Sequence, residues 1–174
     1  MRDAAVFVYQ FDMLPTPLCV LLAILLIVGG YVAYVFIDYH RIGDMARTPS
    51  DGGTASVRTD TPYTVLSSHI GFGAYEDDYG FFMDGGKESR ARSRQAVDEN
   101  MRGEVSLVKD LSPDFALFQE VDIYGTRSWH IAEDAYLDDV MGNSEFNKVF
   151  AQNYDSPYLF YPFINPHGAN QSGI

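Results

Sequence analysis

The chain has 174 residues, 47% of them hydrophobic, with 24 acidic and 12 basic side chains and a formal net charge of −12. That length suits one domain plus an appendage, and that apolar content excludes wholesale disorder. The acidic balance disfavours, without excluding, a grip on nucleic acid, which wants clustered Lys and Arg. A single cysteine, Cys19, rules out an internal disulfide framework or a thiolate zinc site.

Residues Leu18 to Ile37 run for twenty positions without a charge. As a helix they span ~30 Å, the thickness of a bilayer hydrocarbon core. A buried core helix would show a polar stripe, and this segment has none. A signal peptide would open on a basic stretch, whereas here Arg2 stands with Asp3 and Asp12. Tyr31, Tyr34 and Phe36 near the end of the run suit a membrane interface. A single-pass membrane protein is therefore expected, with the lipid bilayer as its partner through residues 18–37. Arg2 on one side and Arg41 and Arg47 on the other leave the side of the soluble part open. Cys19 opens the apolar run instead of following it, so no lipid attachment is read there.

Residues 41–61 are polar, small and turn-prone, and read as a flexible tether. The soluble part is expected over 62–174. Its β-rich start, 63–70, predicts a strand. Residues 71–87, with five glycines, predict a long loop. Val97, Met101, Val105 and Val108 share one helical face and predict a helix over 93–111, ended by Pro113. The apolar run 114–121 predicts a strand buried on both faces. Helices are expected over 127–141 and 146–154, and a strand over 158–163. Alternating strands and helices make the fold class α/β.

Glu120 and Asp122 lie at the carboxyl end of the second strand, where α/β proteins put ligands, and a carboxylate there suits a hard cation such as Mg²⁺. A strand running into a solvated acidic turn is the competing reading. His69 ends the first strand as a candidate metal or phosphate ligand. The following Gly71-Phe72-Gly73 does not complete a dinucleotide fingerprint, because Glu76 stands at the sixth position. His130 and Glu133, three apart on a predicted helix, form half a metal site or an ordinary exposed pair. Asn170-Gln171-Ser172 is a glycosylation sequon of a kind that arises often by chance.

Taken in order, SSHIGFGAYEDDYGFFMDGGKESR, PDFALFQEVDIYGTRSWH, NYDSPYLFYPFINPHG and SGI resemble successive motifs of the endonuclease/exonuclease/phosphatase superfamily. The likeness covers Tyr63 to Ile174, and FFMDGGK at 81–87 followed by QEVD at 119–122 and RS at 127–128 points to a bacterial branch with an N-terminal membrane helix. The resemblance implies two packed β-sheets covered by helices, and cleavage of phosphoester bonds with Mg²⁺ or Mn²⁺. It implies that Glu120 ligates the metal and that His69 stands where the family carries an asparagine. The family's later Asp-x-Asn and Ser-Asp-His motifs do not follow QEVD in residues 123–174, so the resemblance implies the N-terminal portion of such a domain, inactive by itself. The substrate class is a phosphodiester or phosphomonoester. The alternative is a non-catalytic membrane protein or interaction module derived from the same fold.

Overall fold

A computed structural model describes residues 15–44, 46, 48, 50–54, 56–141 and 146–174, with only the backbone of Asp51. The chain divides into two units, residues 1–37 and 38–174. The first unit is dominated by a 23-residue helix, α1 (Thr16–Asp38), with a mean hydropathy of 2.7 over its most apolar window and no buried residue. At 1.5 Å per residue it is ~35 Å long, enough to cross a membrane. It begins two residues earlier and ends one later than the uncharged run, since Thr16 and Pro17 suit a helix start.

The second unit mixes helix and strand. Its elements are β1 (Ser50–Asp51), β2 (Val65–His69), α2 (Arg94–Leu111), β3 (Phe115–Gln119), β4 (Val121–Gly125), α3 (Glu133–Met141), β5 (Lys148–Val149), β6 (Gln152–Leu159) and β7 (Gly168–Gly173). β2 and β3 pair in parallel, β4-β7-β6 form an antiparallel sheet, and β1 pairs briefly with β5. The tether segment thus carries β1, and Gly53 N–H also donates to Asn147 Oδ1 at 2.9 Å.

α2 forms where the periodicity predicts it. Ser93 caps it by accepting from Ala96 N–H at 3.0 Å, and Ser112 closes it in a left-handed conformation before Pro113. Val97, Met101 and Val108 are buried, and each such side chain contributes ~1.5–3 kcal/mol by leaving water. Val97 and Met101 pack into a core with Phe72, Ala74, Ala91, Val121, Ile131 and Leu137.

Four expectations need correction. β3 is not buried on both faces: Phe115 is 40% and Leu117 55% exposed, because β3 has a strand neighbour only in β2 and one face of that pair stays open. The helix expected over 127–141 begins at Glu133. Trp129 and His130 both have φ of 56°, and the left-handed pair breaks any helix there. The helix expected over 146–154 is instead β5 and the start of β6. Its backbone groups find partners at long range, with Ala151 and Ile174 exchanging N–H to O bonds of 2.8 and 3.1 Å. The strand expected over 158–163 ends at Leu159, and β7 was not foreseen. Gly168–Gly173 is too poor in apolar and branched residues to read as a strand, yet it is the central strand of its sheet.

Candidate functional site

The parallel register of β2 and β3 sets His69 opposite Gln119, so Glu120 follows directly beside the end of β2. Glu120 has φ of 55°, a conformation that costs a non-glycine residue ~1 kcal/mol. The turn it makes has a structural consequence. It carries the chain out of the parallel pair and into β4, a strand of the antiparallel sheet. Phe72 N–H donates to Glu120 O at 3.0 Å and holds the turn against the Gly71–Gly73 loop. Gly71, Phe72 and Gly73 all have positive φ (54°, 45° and 63°). A Cβ at Gly73 would lie 2.7 Å from Val97 Cγ1, so only glycine permits the close approach of loop to α2.

At this turn the two sequence candidates meet: His69 Nε2 lies 3.9 Å from Glu120 Oε1. Both are accessible, with side-chain exposures of 56% and 39%. Glu120 Oε2 points inward, is buried and has no hydrogen-bond partner among the described residues. Arg127 Nη1 stands 3.8 Å from it, too far for a hydrogen bond but close enough for Coulomb attraction.

Behind Glu120 sits a buried charged group that sequence reasoning did not assemble. Asp122 is 0% exposed and is held by two N–H groups of Arg127, Nε at 3.1 Å from Oδ2 and 3.2 Å from Oδ1, and Nη2 at 2.8 Å from Oδ1. The Arg127 guanidinium lies 4.1 Å from the Phe72 ring centre and 5.5 Å from that of Tyr154. Burial is the largest influence and opposes its charge, but the charge and hydrogen bonds of Asp122, joined by Glu120 and Tyr154, together outweigh it, and the Arg127 pKa lies above its ordinary value. Glu133, also 0% exposed, accepts from Asp122 N–H through Oε2 at 2.7 Å, while its Oε1 has no partner among the described residues. Burial, and then the charge of Asp122, hold the Glu133 pKa well above the carboxyl range. Neutral Glu133 leaves Asp122 as the buried counter-ion of Arg127.

His130 and Glu133 do not share a helical face. His130 is exposed against the Tyr124 ring at 4.6 Å, and Glu133 is sealed in the core. The sequon at Asn170 is also unavailable as a glycan acceptor: the side chain is 1% exposed, accepts from Arg127 N–H at 2.9 Å and donates to His167 O at 3.1 Å. His167, unassigned by the sequence, is buried with Nδ1 2.9 Å from Ser89 O. Burial lowers its pKa and keeps it neutral, so Nδ1–H is the donor.

The signal for Arg127 and Asp122 was present as the spacing in QEVDIYGTRS. What the spacing did not say is that both side chains turn inward. A shallow cleft of about 270 Å³ opens beside the site, lined by His69, Tyr75, Asn100 and Glu104 among others. A larger groove of about 1230 Å³ follows β3 and includes Gln119 and Val121 but neither His69 nor Glu120.

The donor set at the turn is small. Among the described residues no group of three or more His, Cys, Asp and Glu side chains is placed to hold a metal ion. Glu120 alone offers an accessible carboxylate at the strand end, and His69 offers a nitrogen, which hard cations take less readily than oxygen. Mg²⁺ is commonly held by one or two carboxylates with water and phosphate completing its shell, so Glu120 fits as a single ligand and not as a closed site.

No family model matches the chain, and neither a curated protein nor a solved structure matches it. The likeness to the endonuclease/exonuclease/phosphatase superfamily rests on the motifs in this chain's own sequence.

Proposed function

We propose that residues 62–174 belong to a metal-dependent phosphoesterase domain of the endonuclease/exonuclease/phosphatase type, tethered to a membrane by α1. On this reading the two main sheets are parts of the family's two-sheet sandwich, and the substrate is a phosphodiester or phosphomonoester. The observation that carries it is the placement of Glu120: a strained residue at the strand end, accessible, beside His69, with Arg127 behind it. Strain of this kind tends to persist where function requires it.

A Mg²⁺ or Mn²⁺ ion bound through Glu120 would polarise phosphoryl oxygens and stabilise the leaving oxygen. The chain's own residues prepare that ligand. The positive φ of Glu120 aims the carboxylate out of the strand alternation. Arg127 Nη1 stands 3.8 Å behind it, and Asp122 keeps Arg127 in place. His69, at the family's asparagine position, lies 3.9 Å from Glu120 Oε1.

For the membrane part, length and apolarity alone would also fit a signal sequence. The aromatic residues Tyr31, Tyr34, Phe36 and Tyr39 at the end of α1 support a retained anchor.

A non-catalytic membrane protein or interaction module is the second reading, and the small donor set among the described residues favours it. Titration of the full chain in nanodiscs with Mn²⁺ separates the two. Calorimetry and hydrolysis of bis-p-nitrophenyl phosphate are followed together, with Glu120→Ala as control. Metal binding that weakens at least tenfold in Glu120→Ala is expected. Turnover lost in the same variant would make the chain an enzyme by itself. Binding unchanged by Glu120→Ala, or absent altogether, removes the metal-site reading.

A further inference from the structure

Among the described residues outside α1, the two most exposed apolar side chains are neighbours in the connection between β6 and β7, with two further exposed rings beside them. Phe163 is 86% and Ile164 85% exposed, with Tyr161 at 63% and Phe160 at 53%. From Tyr158 to Asn165 the segment carries no charge. Scattered exposed apolar residues need no explanation, but a run of four at one tip does.

The tip stands on a fastened base. His167 N–H donates to Tyr161 O at 3.3 Å, and Arg90 Nη2 donates to Asn165 Oδ1 at 2.8 Å. Ser89 Oγ donates to Asn165 O. The Tyr161 ring lies 5.8 Å from that of Phe82, and the next residue, Met83, is itself 72% exposed. A fixed apolar tip with a guanidinium at its foot is the arrangement that suits a lipid interface, where aromatic rings sit at headgroup depth and Arg meets phosphate.

We infer that the 160–164 tip, together with Met83, is a second membrane contact that dips into the lipid interface. The inference rests on the anchored reading of α1. Eleven residues separate Asp38 from Ser50, the first residue of β1. Fully extended they reach at most ~40 Å. An anchored chain therefore holds the domain at high effective concentration next to lipid, and even a weak apolar contact is occupied. The groove along β3 is a poorer lipid surface, because Asp114, Asp134 and Asp138 line it. An aromatic tip could also stack on nucleic-acid bases, but the net charge of −12 opposes that partner.

The test uses the full chain with Cys19→Ser, reconstituted in vesicles of phosphatidylcholine and phosphatidylglycerol. One cysteine at a time is introduced by Phe163→Cys, Ser106→Cys or Leu26→Cys and labelled with an environment-sensitive dye. Lipids carrying a spin label on the acyl chain then act as quenchers. Quenching at position 163 should exceed that at position 106, on the exposed face of α2, at least threefold. Adding Ile164→Asp should return it to the level of position 106. Equal quenching at 163 and 106, or quenching that survives Ile164→Asp, overturns the inference. Position 26 reports on the anchor separately: quenching there without quenching at 163 sinks the tip contact and leaves the anchor standing, and no quenching at 26 sinks the anchor.

Discussion

Glu120 and Asp122 are two residues apart, carry the same charge and face the same arginine, yet they live under opposite rules. Glu120 is 39% exposed in its side chain and sits in a left-handed turn, 3.8 Å from Arg127. Asp122 is fully buried in β4, bonded twice to Arg127 and, through its own N–H, to Glu133. The first is strained and loosely held, the second relaxed and completely partnered. A carboxylate that is to meet an external cation has to keep a free oxygen, and that freedom costs stability. A carboxylate that positions another group has to give up its freedom. Proximity in sequence therefore says little about role, and the number of partners says much.

The comparison breaks most clearly at Arg127. Arg127→Met removes the cation but keeps the volume, leaving Asp122 charged and buried without a counter-ion. Loss of ~3–5 kcal/mol is expected from chemical denaturation of the full chain in detergent. Adding Asp122→Asn should return part of that loss. If Arg127→Met unfolds no earlier than the parent, the buried pair is not what holds β4 to its surroundings.

A finer probe is pH. The folded pKa of Glu133 is raised above its unfolded value near 4.5, so its neutral form is the one the fold favours. Its contribution to stability is fully present below pH 4.5 and is lost as pH rises through the folded pKa. Asp98, Asp78 and Glu88 act in the opposite sense: their folded pKa values are lowered by hydrogen bonds to Arg102 or Arg92, and their contribution is lost as pH falls. Denaturation midpoints should be compared between the parent and Glu133→Gln from pH 4 to pH 9. The difference should change by at most ~1.4 kcal/mol per pH unit above pH 4.5, in favour of the variant. A pH-independent difference would mean that Glu133 is ionised in the fold.

The smallest expected effect is at Glu120. Glu120→Gly removes the side chain and relieves the left-handed strain, so stability should stay constant or rise by up to ~1 kcal/mol. Any metal affinity should fall with it. A clear loss of stability would mean that the inward Oε2 is a structural group, and Glu120 would then resemble Asp122 after all.

Some of this molecule was legible before any coordinates. The apolar run that becomes α1, the face of α2 carrying Val97 and Met101, and the strands ending at His69 and Gln119 are encoded by periodicity and composition, which act within a few residues. The nearness of His69 to Glu120 was half legible, since each ended a predicted strand, but only the parallel register set the two ends side by side. Residues 146–154 pattern locally as a helix and β7 gives no local signal at all, because their backbone bonds go to distant partners and nothing local favours a strand in Gly168–Gly173. Glu133 was paired with His130 by helical spacing, and the left-handed residues 129 and 130 cancelled that spacing.

By itself the sequence determined that this protein has a helix long and apolar enough to cross a bilayer, an acidic surface and a mixed α/β body, because each follows from the residues' own solvation and local geometry. Only the tertiary structure decided which of two neighbouring carboxylates stays open and which is sealed behind an arginine. Burial depends on what the rest of the chain brings to the spot, and no short stretch of sequence contains that.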